Sequence, residues 1–308
     1  KRARGMSEVN QAPNAVVMVR PHHFTSNPHT MLDNAFQSEC LAQNQSEQAF
    51  KEVTNAVQIL NNEGVTVHLF EDEQTHTPDS VFPNNWFSTH QSGQLIIYPM
   101  FVENRRLEYR KDIIDFLTDH YKVSSVTDYS FLSKENSFLE GTGSLVVDHQ
   151  NKLAYAVESK RTTKSVVNTI CEQLKLSPIV FNAYDEQGTA VYHTNVLMCI
   201  ATKFVMISLN MVPIEQRAQL AKHFLKSHHQ VIDLTLEQIN NFCGNAIELQ
   251  GKNGRILALS QTAFNALTPA QITVIQKTAK LVPLPIPTIE SAGGSVRCMI
   301  AGVHLQNK

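Results

Sequence analysis

Residues 78–90 read PDSVFPNNWFSTH and hold the chain's single tryptophan, an aspartate and two adjacent asparagines. An acid followed by an apolar pair and two side-chain amides can grip a small polar group. Elsewhere the chain offers Cys298 after SAGGSV, His193 in VYHTNV and Glu140 in LEGTGS. With Asp79 these make a complete set for covalent hydrolysis. A thiolate attacks an electrophilic carbon, an imidazole moves protons, and a carboxylate orients the substrate or the imidazole. The glycines before Cys298 allow close backbone approach. Arg297 beside it either lowers the thiol pKa or turns away, since neighbours alternate along a strand. Cys171 and Cys199 lie in apolar helix and strand patterns and read as core.

Positioning four such residues needs a scaffold, and a weak internal repeat supplies one. DSVFPNNWFSTHQSGQLIIYP, EGTGSLVVDHQNKLAYAV, HTNVLMCIATKFVMISL and GNAIELQGKNGRILAL each read as a polar opening, a strand, a tight turn and a second strand. Ser92-Gly93, Gln150-Asn151 and Asn253-Gly254 carry turn chemistry. A fifth opening, CMIAGVHL, runs off the end of the chain, and the orphan strand of residues 14–21 could complete it. The openings at 79, 140, 193, 244 and 298 are spaced by 61, 53, 51 and 54 residues, with helical patterns between them. Phe50, Val53, Val57 and Leu60 share one helical face, and Thr268-Pro269 has the form of a helix cap and first turn. LVPLPIPTIE reads as a stiff extended connector. Two architectures fit. One is a closed ring with pseudo-fivefold symmetry, which would bring Asp79, Glu140, His193, Asn245 and Cys298 together near one axis. The other is an ordinary α/β sheet whose strands open on polar residues.

Composition narrows the classes. The apolar share of 42% and charged share of 18% are those of a globular enzyme, and a net charge of -2 leaves no basic field for nucleic acid. No apolar run is long enough for a membrane helix, since Lys203 interrupts the best stretch. Five widely spaced cysteines without a CxxC pair fit a reducing, cytoplasmic compartment. The histidines form no HExxH, and the adjacent pairs in PHHF and SHHQ do not readily share a metal, so no metal site is expected. Neither GxGxxG nor a P-loop is present. Residues 1–13 read as an N-terminal tail, whose basic KRARG precedes Met6, and 14–308 as one domain.

These motifs together resemble the guanidine-modifying enzymes, the pentein or amidinotransferase superfamily. The resemblance runs from VVMVRP to GGSVRCMIAGVHL. It is nearest to the arginine-deiminase-related citrulline utilization hydrolases, through RPHHFTSNPHT, DSVFPNNW, YPMFVENRRLEYR, LEGTGS, HTNVLMC and CGNAIEL. It implies a five-bladed α/β propeller with the site on its axis, and a homodimer. It also implies Cys298 as nucleophile, His193 as general acid and base, and Glu140 and Asp79 on the nitrogens of a planar head group. NRR and SKRT match stretches that hold the substrate's carboxylate in dimethylargininases, so Arg105 and Arg161 inherit that role.

Three carboxylates of the superfamily stand as amides here. Asn84 and Asn85 replace a Glu-Asp pair, and Asn195 replaces the aspartate of an HxD arrangement. A guanidinium has only donors, whereas a ureido group adds a carbonyl acceptor that an asparagine can bond. The expectation is therefore a substrate-binding set of Asn84, Asn85, Asn195, Arg105 and Arg161 around citrulline, a small amino acid. Hydrolysis would give ornithine, ammonia and carbon dioxide through a Cys298 intermediate, with no cofactor. The alternatives are an arginine deiminase, a dimethylarginine hydrolase or an amidinotransferase, and, in another class, a non-catalytic pentein binding protein. The stretch HHFTSNPHTMLDNAFQ is a candidate lid.

Overall fold

The computed structural model describes residues 8–30 and 44–308. Met6, Cys40 and residues 31–37 of the candidate lid lie outside the described residues. In chain order the elements begin with β1 (Ala15–Pro21), α1 (Gln45–Asn62) and β2 (Thr66–Asp72). Next come β3 (Phe87–Thr89), β4 (Gln94–Ile97), α2 (Lys111–His120) and β5 (Ser125–Asp128). They are followed by α3 (Gly141–Ser144), β6 (Val146–Asp148), β7 (Leu153–Val157), α4 (Lys164–Leu174) and β8 (Ser177–Phe181). Then come α5 (Thr194–Leu197), β9 (Met198–Ile200), β10 (Phe204–Ile207), α6 (Ile214–Lys226), β11 (Gln230–Asp233) and α7 (Leu236–Asn240). The chain ends with β12 (Ile247–Gly251), β13 (Gly254–Ser260), α8 (Gln261–Ala266), α9 (Pro269–Gln276), β14 (Lys280–Leu284), α10 (Pro287–Glu290), α11 (Val296–Met299) and β15 (Ala301–Val303).

The strands form five three-stranded sheets of one pattern: β3-β4-β5, β6-β7-β8, β9-β10-β11, β12-β13-β14 and β15-β1-β2. In each, the first two strands are antiparallel and the second and third parallel. A tight turn joins the antiparallel pair in every sheet but β15-β1-β2, while the parallel step needs the crossover that α1, α2, α4, α6 or α8–α9 provides. The orphan strand does complete the fifth unit, with Val16 opposite Gly302 in an antiparallel β1–β15 pair. An ordinary single sheet is thereby excluded.

Each helix buries one stripe on its own sheet. In α1, Ala49, Val53, Ala56 and Leu60 are fully buried, while Phe50 and Val57 stay at the edge. Truncating Leu60 to Ala would cost roughly 2–5 kcal/mol. Thr268 caps α9 through a capping box with Gln271, and Thr235 does the same for α7 with Gln238. Two readings need correction. The LVPLP run is not merely a connector. It is strand β14, paired parallel with β13 from Ile256–Lys280 to Ser260–Leu284, and an edge strand tolerates its proline. The following PTIE is helical, with Pro287 opening α10, where a missing N–H is harmless. The sequence pattern also missed the single helical turns before inner strands: residues Pro83–Asn85, α3, α5 and α11.

Candidate active site

Those single turns hold the chemistry. Glu140 is the residue before α3, His193 the residue before α5, Cys298 lies within α11, and Asp79 ends the loop that leads to the Pro83–Asn85 turn. The turns pack on one another, α3 on α5 and on Pro83–Asn85, and α11 on Pro83–Asn85. Two glycines make this approach possible. Gly141 sits at φ +51°, where a Cβ would fall 2.2 Å from the Asn84 carbonyl oxygen. A Cβ on Gly143 would fall 2.4 Å from Asn85 Nδ2 and 3.0 Å from His193 Nδ1.

The four expected catalytic residues are brought together. Asp79, His193 and Cys298 line one cleft with Asn85, Arg161 and Tyr192. Glu140 sits behind His193, its Oε1 accepting from Nε2 at 2.7 Å, and its Oε2 accepts from the Phe101 backbone N–H at 3.0 Å. Burial pushes the Glu140 carboxyl up, but the His193 hydrogen bond and the charges of Arg161 and Arg105 outweigh it and bring it down to about 2. His193 is lowered from its ordinary value, because burial of the imidazolium outweighs the support of Glu140. At neutral pH the pair is therefore a carboxylate and a neutral imidazole. Since Glu140 only accepts, the proton sits on Nε2 and the Nδ1 lone pair is left for chemistry.

Cys298 Sγ accepts from two amides, Asn195 Nδ2 and Asn245 Nδ2, both at 3.4 Å. Asn245 is fixed in turn: its Nδ2 donates to the Asn195 carbonyl at 2.9 Å, and its Oδ1 accepts the Cys298 N–H at 3.4 Å. Both amides thus aim a donor at the sulfur. Asn195, expected as a substrate donor, directs one of its two amide N–H groups at the nucleophile. Asn245, placed near the axis by the repeat, had been given no role in the site. Its signal was its place in the repeat, equivalent to those of the catalytic groups.

Arg105 lines the cleft too, but its guanidinium is engaged by the protein itself. Its Nε and Nη2 bind Glu108 at 2.9 and 3.0 Å, Nη1 donates to Asn85 Oδ1 at 2.8 Å, and Nη2 also donates to the Phe82 carbonyl at 3.2 Å. Burial opposes the Arg105 charge, but the Glu108 carboxylate outweighs it and holds the guanidinium above its ordinary value. Glu108, three residues on in NRRLE, was the overlooked partner. Arg161 does line the cleft, with Nη1 3.7 Å from Glu140 Oε1 and its guanidinium 4.8 Å above the Tyr192 ring.

Several buried polar atoms have no partner among the described residues: Asp79 Oδ1, Asn85 Nδ2, Asn195 Oδ1 and both amide atoms of Asn84. Asp79 Oδ2 accepts from Asn27 Nδ2 at 2.9 Å. Asn84 and Asn85 lie on a helical turn, so Asn85 reaches the cleft while Asn84 is fully buried and is not among the residues lining it. Trp86 is core, packed on Phe87.

The architecture recurs in solved structures. A cysteine-to-serine variant of the N-terminal domain of ArgZ, an arginine dihydrolase from cyanobacteria, bound to substrate, superposes with a TM-score of 0.74 at 15% identity, over 94% of this chain and 97% of that one. Full-length ArgZ gives 0.72 at 16% identity, and the match covers 41% of its length. A dimethylarginine hydrolase, DDAH from Pseudomonas aeruginosa, complexed with citrulline, gives 0.65 at 16% identity over 94% and 99%. No curated protein sequence matches. Identities this low speak for the fold, which is the mixed α/β fold of the pentein guanidine-modifying superfamily, and this chain is a member of it. More narrowly, it belongs to the N,N-dimethylarginine dimethylhydrolase family, whose eukaryotic model matches residues 20–305. That membership makes it a hydrolase of the C–N bond of a guanidino or ureido amino acid, not a non-catalytic binding protein. No helix among the described residues is long and apolar enough to cross a membrane.

Proposed function

We propose that this cleft hydrolyses the ureido group of citrulline. The observation that carries the reading is the orientation of Asn85. Arg105 has only donors, so its bond to Asn85 Oδ1 fixes the carbonyl on that side and leaves Nδ2 as an unpartnered donor in the cleft wall. A guanidinium offers that donor nothing to bond. A ureido carbonyl does, while Asp79 Oδ1 takes a ureido N–H. Leaving one buried donor unmet costs roughly 1–3 kcal/mol, enough to discriminate between the two head groups.

In this reading the His193 Nδ1 takes the Cys298 proton, and the thiolate attacks the ureido carbon. The C–Nδ bond breaks as the imidazolium returns the proton to the departing nitrogen, releasing ornithine and leaving a carbamoyl thioester on Cys298. Water activated by His193 attacks that thioester, restoring the thiol and releasing carbamic acid, which falls to ammonia and carbon dioxide. Arg161 holds the substrate carboxylate. We read the five sheets as blades of a closed propeller, supported by the packing of β15 on β3, β6 on β9 and β9 on β12. Residues 14–308 as one domain, a homodimer and a cytoplasmic location stand as parts of the same proposal.

A second reading is hydrolysis of a guanidino substrate, dimethylarginine or arginine. The family match favours the first of these, and the similarity to an arginine dihydrolase the second. Product analysis with citrulline, arginine and N,N-dimethylarginine side by side separates the readings. Ornithine from citrulline, absent with Cys298→Ala, is the expected result. Turnover of the guanidino substrates alone would leave the nucleophile in place and overturn the ureido reading.

A further inference from the structure

A second cavity lies at the opposite ends of the inner strands. Three consecutive sheets end their inner strand on a histidine that lines it: His90 after β3, His149 after β6 and His304 after β15. Of the other two inner strands, β9 contributes Cys199 and β12 contributes Glu248. Arg297, the neighbour of Cys298, turns its side chain into this cavity and away from the catalytic cleft.

Arg297 makes no ion pair among the described residues. Its Nη1 donates to the Ile300 carbonyl at 2.8 Å, which engages one of five guanidinium N–H groups. Burial lowers it to about 10, which leaves it charged at neutral pH. Around it the histidines are close together. His149 and His304 stack with centroids 3.8 Å apart, and His90 lies 6.1 Å from His149. Burial, reinforced at His149 and His304 by the other imidazoles and Arg297, keeps the cluster neutral at pH 7. Cys199 is pushed up to about 12 by burial and is a thiol. Glu248 is buried and already engaged: its Oε1 accepts from the Thr202 N–H and hydroxyl, and its Oε2 lies 3.7 Å from Arg255 Nε. Burial also raises its pKa. An enclosed guanidinium facing imidazoles, with the one nearby carboxylate engaged elsewhere, is an environment for a negative ligand. The guanidinium opposes a cation, and no metal-binding group of three ligands is present among the described residues. The cavity volume of about 50 Å³ accommodates a few waters or one small anion.

We propose that this cavity binds a small oxyanion of the sulfate or phosphate class, held by Arg297 and the imidazole N–H groups of His149 and His304, with uptake of protons by the histidine cluster. An anion beside buried imidazoles favours their charged form, so binding strengthens as pH falls. Sulfate keeps its charge between pH 6 and 8 and reports the protein's protonation alone. Isothermal titration of the full chain with sodium sulfate, at constant ionic strength and in two buffers of different ionisation heat, tests this. Phosphate and acetate serve as comparison arms for the tetrahedral and carboxylate geometries. The expected result is saturable single-site binding of sulfate, about tenfold tighter at pH 6 than at pH 8, with net proton uptake. Arg297→Gln abolishes it, and His304→Gln weakens it about tenfold and reduces the uptake. If Arg297→Gln fails to fold, as judged by circular dichroism, His304→Gln carries the comparison. Absence of saturable sulfate and phosphate binding to the unaltered chain at both pH values overturns the proposal. So does binding unchanged in the variants, or sulfate displaced by citrulline, which would place the anion in the catalytic cleft. Acetate binding tighter than sulfate would replace the oxyanion class with a carboxylate and overturn it too.

Discussion

The two ends of the inner strands handle buried charge in opposite ways. At the entry end, Arg105 is locked to Glu108, and Glu140 is shared between His193 and Arg161. Arg105 only partly offsets the burial that raises the Glu108 carboxyl to about 7, while Glu140 is held down to about 2. Both pairs fix the positions of their groups before a substrate arrives. At the exit end, Arg297 and three neutral imidazoles face one another with no counter-charge of their own. The first arrangement is built to hold geometry for a reaction. The second leaves its electrostatics to be completed from outside. The same fold repeat supplies both, because each inner strand carries one residue into a shared space at either end.

The largest effect should come from the nucleophile. Cys298→Ala is expected to remove turnover, a loss on the order of 10⁶-fold by analogy with other covalent hydrolases, with unfolding by urea little changed. Next is Glu140→Gln, which should lower kcat by roughly 10²–10⁴. It should also move the acid limb of the kcat/KM profile. Catalysis needs neutral His193, whose pKa lies below its ordinary 6.5 despite the support of Glu140, so the limb falls below pH 6.5. Removing the carboxylate's charge shifts it lower still, and an upward shift would contradict the assigned pair. Asn85→Asp exchanges the cleft-facing donor for an acceptor and should cost citrulline turnover about 10²–10³-fold while arginine or dimethylarginine turnover is spared or gained. Equal losses on all three substrates would detach Asn85 from head-group choice.

The exit end should register in stability, not in rate. His90 is held down to about 4 and His304 to about 3 by burial. Both lie below the unfolded value near 6.5, so their contribution is fully present above pH 6.5. It is lost as pH falls toward 4, because the unfolded chain takes protons that the folded chain refuses. For His90 alone this approaches about 3 kcal/mol. Urea midpoints from pH 7 to 4 should fall steeply, and less steeply in His304→Gln. A parallel pair of curves would contradict the assignment.

Much of this was legible in the sequence. The alternation of polar opening, strand, turn and strand gave the repeat, and a fifth opening without a partner strand gave the pairing of β1 with β15. Cys298, His193, Glu140 and Asp79 stood out because they occupy equivalent places in that repeat. What stayed hidden depends on side-chain direction. Whether Arg105 served a substrate or Glu108 turns on a single helical turn, as does whether Asn195 faced substrate or sulfur. Residue order does not report such a turn when only three or four residues form it. The proline-rich 281–287 segment was underestimated because an edge strand and a helix start both tolerate proline.

The most direct test of the ureido reading is intact-protein mass spectrometry of rapidly quenched mixtures with each substrate. The account predicts a carbamoyl thioester on Cys298 with citrulline, missing in Cys298→Ala. An amidino adduct from arginine or dimethylarginine, with none from citrulline, would contradict it.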